Sequence, residues 1–407
     1  MTQTSAGRSM SRRSFLSAGA AVGAGLVLPS WSWAGAPSMA GPGSATPPWK
    51  VWDREADAVV AAVIERGEVP AVNALLRTWT KNGQALPFGL PRDLRDFIEH
   101  ARQLPSWTDT AKLRAAVTFN KRRGTYLGAA YGFTSGMMST VIPHEARAVY
   151  YSKGGADMKR RISRTAKFGY DIGSLGAFHD PSGEMIVTCV KTRLAHAGVR
   201  HLLPQSPHWK GAADEKIPIS QRDILVTWHS LPTSVMRSLK QWGVKVGAAE
   251  GDAFLHSWQV AAHMLGVHDH YIPATWDAAY AQAPQILDPV LAPTPEGVKL
   301  ADILLDLASG IDGGTVSRPF LESLTRYNLG DRIAGWLNVP RHPGQDEALA
   351  AAWPRFVGLK EAGLELPGSS DLYWAFDEIL RQGALWFLGD GEQLSIEIPD
   401  TNNPKLP

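Results

Sequence analysis

The chain has 407 residues, of which 44% are hydrophobic and 20% charged, enough to bury the core of one large domain or two ordinary ones. The formal net charge is +2, and removal of residues 1–36, which hold three arginines and no acid, leaves −1. A nearly neutral protein of this kind gives no electrostatic argument for a nucleic-acid or anionic-lipid partner.

The first 36 residues predict a twin-arginine signal peptide. Arg12 and Arg13 precede an apolar run that ends at Leu28, and small residues follow at Ala34 and Ala36. We expect cleavage after one of these two alanines; an ordinary secretion signal is the alternative. No later segment reaches the roughly 18 apolar residues that a membrane span needs. The mature protein is therefore predicted to be secreted, without a membrane span.

Helical periodicity dominates the rest of the chain. Residues 37–49 are rich in Pro, Gly, Ser and Ala and predict a flexible linker. The predicted helices are 58–64, 71–80, 92–102, 110–119, 121–132, 156–175, 184–203, 220–241, 248–265, 297–307, 320–327, 347–356 and 372–387. Only residues 394–398 alternate as a strand does. The pattern predicts an all-α protein with one helical domain over residues 50–407.

Polar side chains in three successive segments between residues 121 and 205 are candidates for a functional site. They are Glu145 in the first, Arg161, Arg164 and Thr165 in the second, and His196 in the third. Burying such groups together is costly, so they form either a structural network or a site. Each also has an ordinary explanation: a carboxylate at a helix N-terminus, a solvated charged face, and a core histidine with satisfied hydrogen bonds.

The cysteine and the other histidines limit the kinds of cofactor and metal site that the chain can form. Cys189 is the single cysteine, so neither an internal disulfide nor covalent haem attachment through C-x-x-C-H is possible. Its apolar helical context predicts buried packing. No H-E-x-x-H motif indicates zinc. The remaining histidines of interest are expected in the core (His229, His256, His263) or exposed (His268, His270).

Several long strings of the sequence resemble the latex clearing proteins, the secreted haem rubber oxygenases of actinobacteria. They include FNKRRGTYLGAAYG, YYSKGGADMK, VTCVKTRLAHA, ILDPVLAPTPEGVKLADILLDL and SIEIPDTNNP, and the resemblance runs from about residue 50 to the end. It implies a globin-like helical core around one non-covalent haem b, with additional helices at both ends. It also implies a dioxygenase that cuts poly(cis-1,4-isoprene) within the chain, giving oligo-isoprenoids with aldehyde and ketone ends.

The resemblance also implies roles for individual residues. His196 matches the axial ligand of the haem iron, and Glu145 matches a distal base that takes an allylic proton from the polymer. Arg161 and Thr165 match polar residues of the haem pocket. The sequence departs from the family at Arg164, where the best-described members carry a lysine that can bind the iron when no substrate is present. Arginine stays protonated and has no lone pair to give, so we expect an open distal position.

The expected partners are the hydrocarbon polymer and dioxygen, and the expected oligomeric state is a monomer. Two alternatives keep the haem: an oxygenase acting on a small terpenoid-like substrate, and a secreted haem- or gas-binding protein without turnover. A third, of a different class, is a hydrolase with a histidine-rich metal site.

Overall fold

The computed structural model describes residues 31–153, 157–310, 316–364 and 394–406, and helices make up most of these ranges. The all-α prediction is confirmed. The α-helices are α1 (Arg54–Glu65), α2 (Val69–Thr78), α3 (Arg92–Ala101), α4 (Thr110–Ala129), α5 (Met137–Ser139), α6 (Pro143–Tyr151), α7 (Met158–Ile172), α8 (Met185–Leu202), α9 (Pro207–Ala212), α10 (Gln221–Trp228), α11 (Ser234–Gln241), α12 (Ala248–Met264), α13 (Trp276–Ile286), α14 (Pro295–Gly310), α15 (Arg318–Trp336) and α16 (Pro343–Leu364). None of them is long and apolar enough to cross a membrane.

The segment 37–49, expected to be a flexible linker, is instead folded onto the domain. Two short strands, β1 (Pro37–Ser38) and β2 (Gly41–Pro42), form an antiparallel hairpin. The hairpin backbone bonds to residues 272–274, and a compact unit extends from Trp31 to the C-terminus. Composition misled here because Pro, Gly and Ser suit tight hairpins as well as flexible chain.

Two pairs of helical segments are continuous through wider π-helical turns. The predicted helices 110–119 and 121–132 form one helix, α4, because no helix breaker separates them, and a π-helical turn at residues 130–136 joins α4 to α5. A second π-helical turn, at residues 229–233, joins α10 to α11 and contains Pro232, which has no N–H to donate. Such turns re-aim side chains and are frequent at functional sites. Helices α5, α6, α9 and α13 lie outside the predicted segments.

Helix α8 is the central element for function, and most of its residues are buried. It packs against α1 on one side and against α7 and α12 on others. Asp53 begins α1 by accepting a hydrogen bond from the Ala56 N–H, and Ser220 and Asp223 form a capping box that begins α10. These caps fix the starts of two helices that border the site.

Residues 394–406, called here the C-terminal strap, are extended but form no β-ladder in the part of the chain that is described. The strand predicted at residues 394–398 is therefore wrong. The strap backbone bonds instead to the side chain of Asn73. Asn73 Nδ2 donates to the Ile398 carbonyl at 2.9 Å, and the Ile398 N–H donates to Asn73 Oδ1 at 3.0 Å. Further along, Asn403 N–H donates to the Tyr151 carbonyl. The helix predicted at 372–387 lies outside the described residues.

Candidate active site

Helices α6, α7 and α8 bring Glu145, Arg161 and His196 into one neighbourhood. Each side chain lies deep in the molecule yet keeps part of its accessible surface. Arg161 acts electrostatically on both of the others, lowering the pKa of Glu145 and the pKa of His196. The three residues therefore lie near one another, and their role at a haem stays a prediction.

Glu145 lies in the first turn of α6, which begins with Pro143. The hydroxyl of Thr227, on α10, donates a short hydrogen bond to Glu145 Oε1. Burial, reinforced by the negative charge of Asp223, raises the pKa of Glu145 to about 8, although Thr227 and Arg161 oppose the rise. Glu145 Oε2 receives no hydrogen bond from the described residues. A carboxylate of this kind can accept a proton near neutral pH.

His144, the neighbour of Glu145, is engaged on both ring nitrogens. Nδ1 lies 3.1 Å from Asp223 Oδ1, and Nε2 lies 3.1 Å from Glu215 Oε2. Both ring nitrogens of His144 therefore lie beside carboxylates. Sequence reasoning missed Thr227, Asp223 and Glu215, because their contacts join distant parts of the chain. The capping box of α10 was the one readable signal in that region.

His196 differs from an ordinary core histidine. Burial, with the positive charges of Arg200 and Arg161, lowers its pKa to about 3, so the imidazole is neutral. Its Nδ1 is buried without a hydrogen-bond partner among the described residues. His229, by contrast, is satisfied by Gln282 at 2.9 Å and Thr233 at 3.0 Å. Of the two, only His196 has the properties of an available metal ligand.

The polar residues of α7 divide into two groups. Arg161 interacts electrostatically with Glu145, and burial together with repulsion from Arg164 lowers the pKa of Arg161 to about 10. Arg164 Nη2 instead lies 3.5 Å from Glu397 Oε2 of the C-terminal strap. Thr165 is exposed, and its hydroxyl donates to the Arg161 carbonyl at 3.4 Å. No contact places Thr165 beside Glu145 or His196 in the described part of the chain.

Two arginines on α8 flank His196 and bind α1. Arg193 donates to Asp53 from Nε at 2.5 Å and from Nη2 at 2.9 Å. Arg200 Nε donates to Asp57 Oδ1 at 2.6 Å, while its Nη2 is buried without a partner in the described ranges. Neither guanidinium group therefore lies on a solvated face, and Arg200 retains an unused cationic donor.

The other histidines build no second metal site. His263 Nδ1 lies 2.7 Å from Asp269 Oδ1, and His256 is buried. His268 and His270 are exposed, as expected. Within the described ranges no group of three or more His, Cys, Asp and Glu side chains is arranged to hold a metal ion. Cys189 is fully buried, as predicted, and burial raises the pKa of its thiol.

Comparison with known proteins assigns a family to this arrangement. Residues 122–359 match the family model described as ER-bound oxygenase mpaB/B'/Rubber oxygenase, catalytic domain, so the chain belongs to this family and is an oxygenase. A more specific likeness is to the Rubber oxygenase of Streptomyces sp. (strain K30), which is 54% identical over 404 residues, 97% of this chain and 99% of that protein. A solved structure, "Structure of Latex Clearing Protein LCP in the closed state", matches with a TM-score of 0.83 and 55% identity, covering 91% of this chain and all of that one.

The N-terminus also matches a known pattern. Residues 9–29 match the twin-arginine translocation signal, which confirms the prediction of export by that route.

Proposed function

We propose that this oxygenase is a secreted haem b dioxygenase that cleaves poly(cis-1,4-isoprene) within the chain. The products are oligo-isoprenoids with an aldehyde at one end and a ketone at the other. The observation that carries the proposal is the neutral imidazole of His196, whose Nδ1 has no partner among the described residues. It interacts electrostatically with Arg161, as does the high-pKa carboxyl of Glu145. The names of the two similar proteins support the choice of substrate.

The residues of the cavity fit a non-covalent haem. An axial histidine must be neutral and free to bind iron, and His196 meets both conditions. A haem also carries two propionates, and the buried Nη2 of Arg200 is a cationic donor left without a partner among the described side chains. Arg161 supplies a second positive charge at the cavity. When bound, haem b supplies the redox chemistry with dioxygen that amino-acid side chains do not perform unaided.

Glu145 handles the proton in this proposal. Thr227 occupies Oε1, so Oε2 is the atom that takes the allylic proton from the polymer. Burial makes the carboxylate more basic than an exposed one, which brings its pKa close to the working pH. Arg161, positively charged beside it, stabilises the anion before the proton arrives.

The substrate offers neither charge nor hydrogen-bonding groups. Its binding must come from apolar surface removed from water, and its orientation from the shape of the cavity. The near-neutral mature protein suits such a partner. The two other candidate residues of α7, Arg164 and Thr165, would act at the edge of the haem cavity. Their described contacts are to the C-terminal strap and to the helix backbone.

An absorption spectrum of the purified, haem-loaded protein tests the cofactor. We expect a strong Soret band that His196→Ala abolishes, while His229→Ala, which removes a buried histidine with satisfied hydrogen bonds, leaves the iron ligation unchanged. A zinc-containing protein without a Soret band would favour a hydrolase instead.

Oxygen consumption tests the reaction and the substrate. The haem-loaded protein should consume dioxygen with rubber latex and without an added electron donor. Consumption with a small terpenoid alkene but not with latex would favour the small-substrate oxygenase. A Soret band with no consumption on either would favour a haem- or gas-binding protein.

A further inference from the structure

Residues 31–36 lie within the stretch that the sequence assigns to the removable signal, yet they are folded into the enzyme. The best match to the small-residue cleavage pattern ends at Ala34, which would remove Trp31 and Trp33. The compact unit of the structure nevertheless begins at Trp31. Pattern and structure therefore disagree about where the mature enzyme starts.

Trp33 is a buried anchor. Its side chain is 1% exposed, and its indole N–H donates to the His270 carbonyl at 2.8 Å. The Trp31 indole N–H donates to the Ser44 carbonyl at 2.9 Å, and the two rings lie 6.1 Å apart. Burying indole rings with their N–H groups satisfied is among the largest single contributions a residue makes to folding.

The backbone around Trp33 is equally tight. Ala36 N–H donates to the Trp33 carbonyl at 3.0 Å, and Gly43 N–H donates to the Ala36 carbonyl at 2.8 Å. A Cβ at Gly43 would come within 2.3 Å of the Trp33 carbonyl oxygen and 2.6 Å of the indole ring. Only glycine fits there, so position 43 is shaped around Trp33.

The same segment is tied to the body of the domain. Met39 N–H donates to the Ile272 carbonyl at 3.0 Å, and Ala274 N–H donates to the Pro37 carbonyl at 3.0 Å. Ser32 N–H donates to Gln285 Oε1 on α13, also at 3.0 Å. Residues 31–44 therefore fold with the helices and are not an appendage.

We propose that Trp31 and Trp33 remain in the exported enzyme, and that the signal is removed by cleavage on the N-terminal side of Trp31. Twin-arginine export carries folded proteins, so the peptidase meets Trp33 already buried. A protease needs an extended, accessible segment, and the bond after Ala34 becomes accessible only when the segment unfolds locally. Hydrolysis adds one water across the peptide bond, leaving a carboxylate on the signal and a new amino terminus on the enzyme. Ser30, Gly25 and Ala24 are small residues upstream of Trp31.

The test is the intact mass and N-terminal sequence of the protein secreted by a host with a functional twin-arginine pathway. We expect the first residue to be Trp31 or one upstream of it. An enzyme that begins at Ser32 or later, above all at Gly35 or Pro37, would overturn the proposal.

A variant that displaces residues 31–36 without changing the residues on either side of the Ala34–Gly35 bond tests whether folding protects that bond. Gly43→Ala displaces Trp33, and we expect the exported protein to begin at Gly35. Ala45→Val adds bulk at an exposed position two residues away and should leave the N-terminus unchanged.

Processing of the purified precursor by signal peptidase gives an outcome even where the Gly43→Ala protein is exported poorly. Cleavage after Ala34 should be at least tenfold faster for Gly43→Ala than for the wild-type precursor. Equal rates of cleavage at that bond would contradict the protection we infer.

Discussion

Glu145 and His196 are both buried ionisable side chains, and burial acts on them in opposite chemical directions. It raises the pKa of the carboxyl to about 8 and lowers the pKa of the imidazole to about 3. In both cases the uncharged form is favoured. Near neutral pH the histidine is therefore a free base, and the glutamate gains its charge within the pH range in which an enzyme works.

Glu145→Gln tests the proton step. The amide keeps the shape of the side chain and cannot accept the proton, so we expect activity on latex to fall by about 10²–10⁴-fold. Haem content should stay near wild type, because His196 is untouched. Unchanged turnover with full haem loading would remove Glu145 from the mechanism.

Thr227→Val tests how that basicity is controlled. The Thr227 hydroxyl stabilises the charged form of Glu145, so its loss should raise the pKa of the carboxyl further. The base works only when deprotonated, so kcat/KM should rise with pH up to about 8 in the wild type. In Thr227→Val the rise should move to higher pH by about one unit, since a hydrogen bond to a charged group is worth about 1.5–3 kcal/mol. Thr227→Ser should restore the wild-type profile; an unmoved profile in the valine variant would contradict the role.

Arg164 allows a prediction about the resting haem. An arginine cannot give a lone pair to iron, and this one lies beside Glu397. His144 is engaged by two carboxylates and is not free to replace it. Added imidazole should therefore bind the resting protein readily and change its spectrum, and Arg164→Lys should reduce that response. A wild-type spectrum of low-spin iron with two nitrogen ligands, insensitive to imidazole, would contradict the open distal position.

Among individual residues, the sequence named His196 and Glu145 as candidates but missed Thr227, which bonds to Glu145. His196 and Glu145 could be named because they lie in strings that resemble a known family. Thr227 could not, because its role depends on a hydrogen bond from α10 to Glu145 on α6, a residue 82 positions away in sequence. The division of α7, with Arg161 inward and Arg164 toward the strap, also depends on tertiary contacts that helical spacing does not encode.

At the scale of elements, the C-terminal strap holds the site helices against one another. It bonds to Asn73 on α2, pairs through Glu397 with Arg164 on α7, and bonds through Asn403 to Tyr151 at the end of α6. Periodicity predicted a strand because Ile396 and Ile398 do alternate inward, and both are buried. The prediction failed because the backbone of residues 394–398 bonds to the side chain of Asn73 and not to a second strand.

Gly198→Ala tests the contact between the strap and α8. A Cβ at Gly198, two residues after His196, would lie 2.7 Å from Pro399 Cδ. Alanine normally stabilises a helix relative to glycine, by about 1 kcal/mol. Here crowding should outweigh that gain and lower the free energy of unfolding by about 1–3 kcal/mol.

The matched control is Gly211→Ala on α9, where nothing lies within 4 Å of the added Cβ. Its thermal midpoint should be unchanged or slightly higher. A Gly198→Ala protein as stable as this control would show that the strap yields easily.

At the scale of the whole molecule, the features agree with a protein that folds before export and works outside the cell. It carries a twin-arginine signal, and it has one buried cysteine and no possible internal disulfide, so packing and buried ion pairs hold it together. The Arg193–Asp53 and Arg200–Asp57 pairs join α8 to α1 in the interior. Breaking such a pair by removing one partner is costly, because a buried charge is left uncompensated.

We propose that this chain inserts both atoms of dioxygen across a double bond of polyisoprene at a haem held by His196. The most direct measurement is mass spectrometry of the fragments formed from rubber latex under isotopically labelled dioxygen. We predict labelled oxygen in both the aldehyde and the ketone end of each oligo-isoprenoid for the wild type, and no fragments for His196→Ala. Intact polymer after incubation with fully haem-loaded wild-type protein, or fragments whose end-group oxygen derives from water, would contradict it.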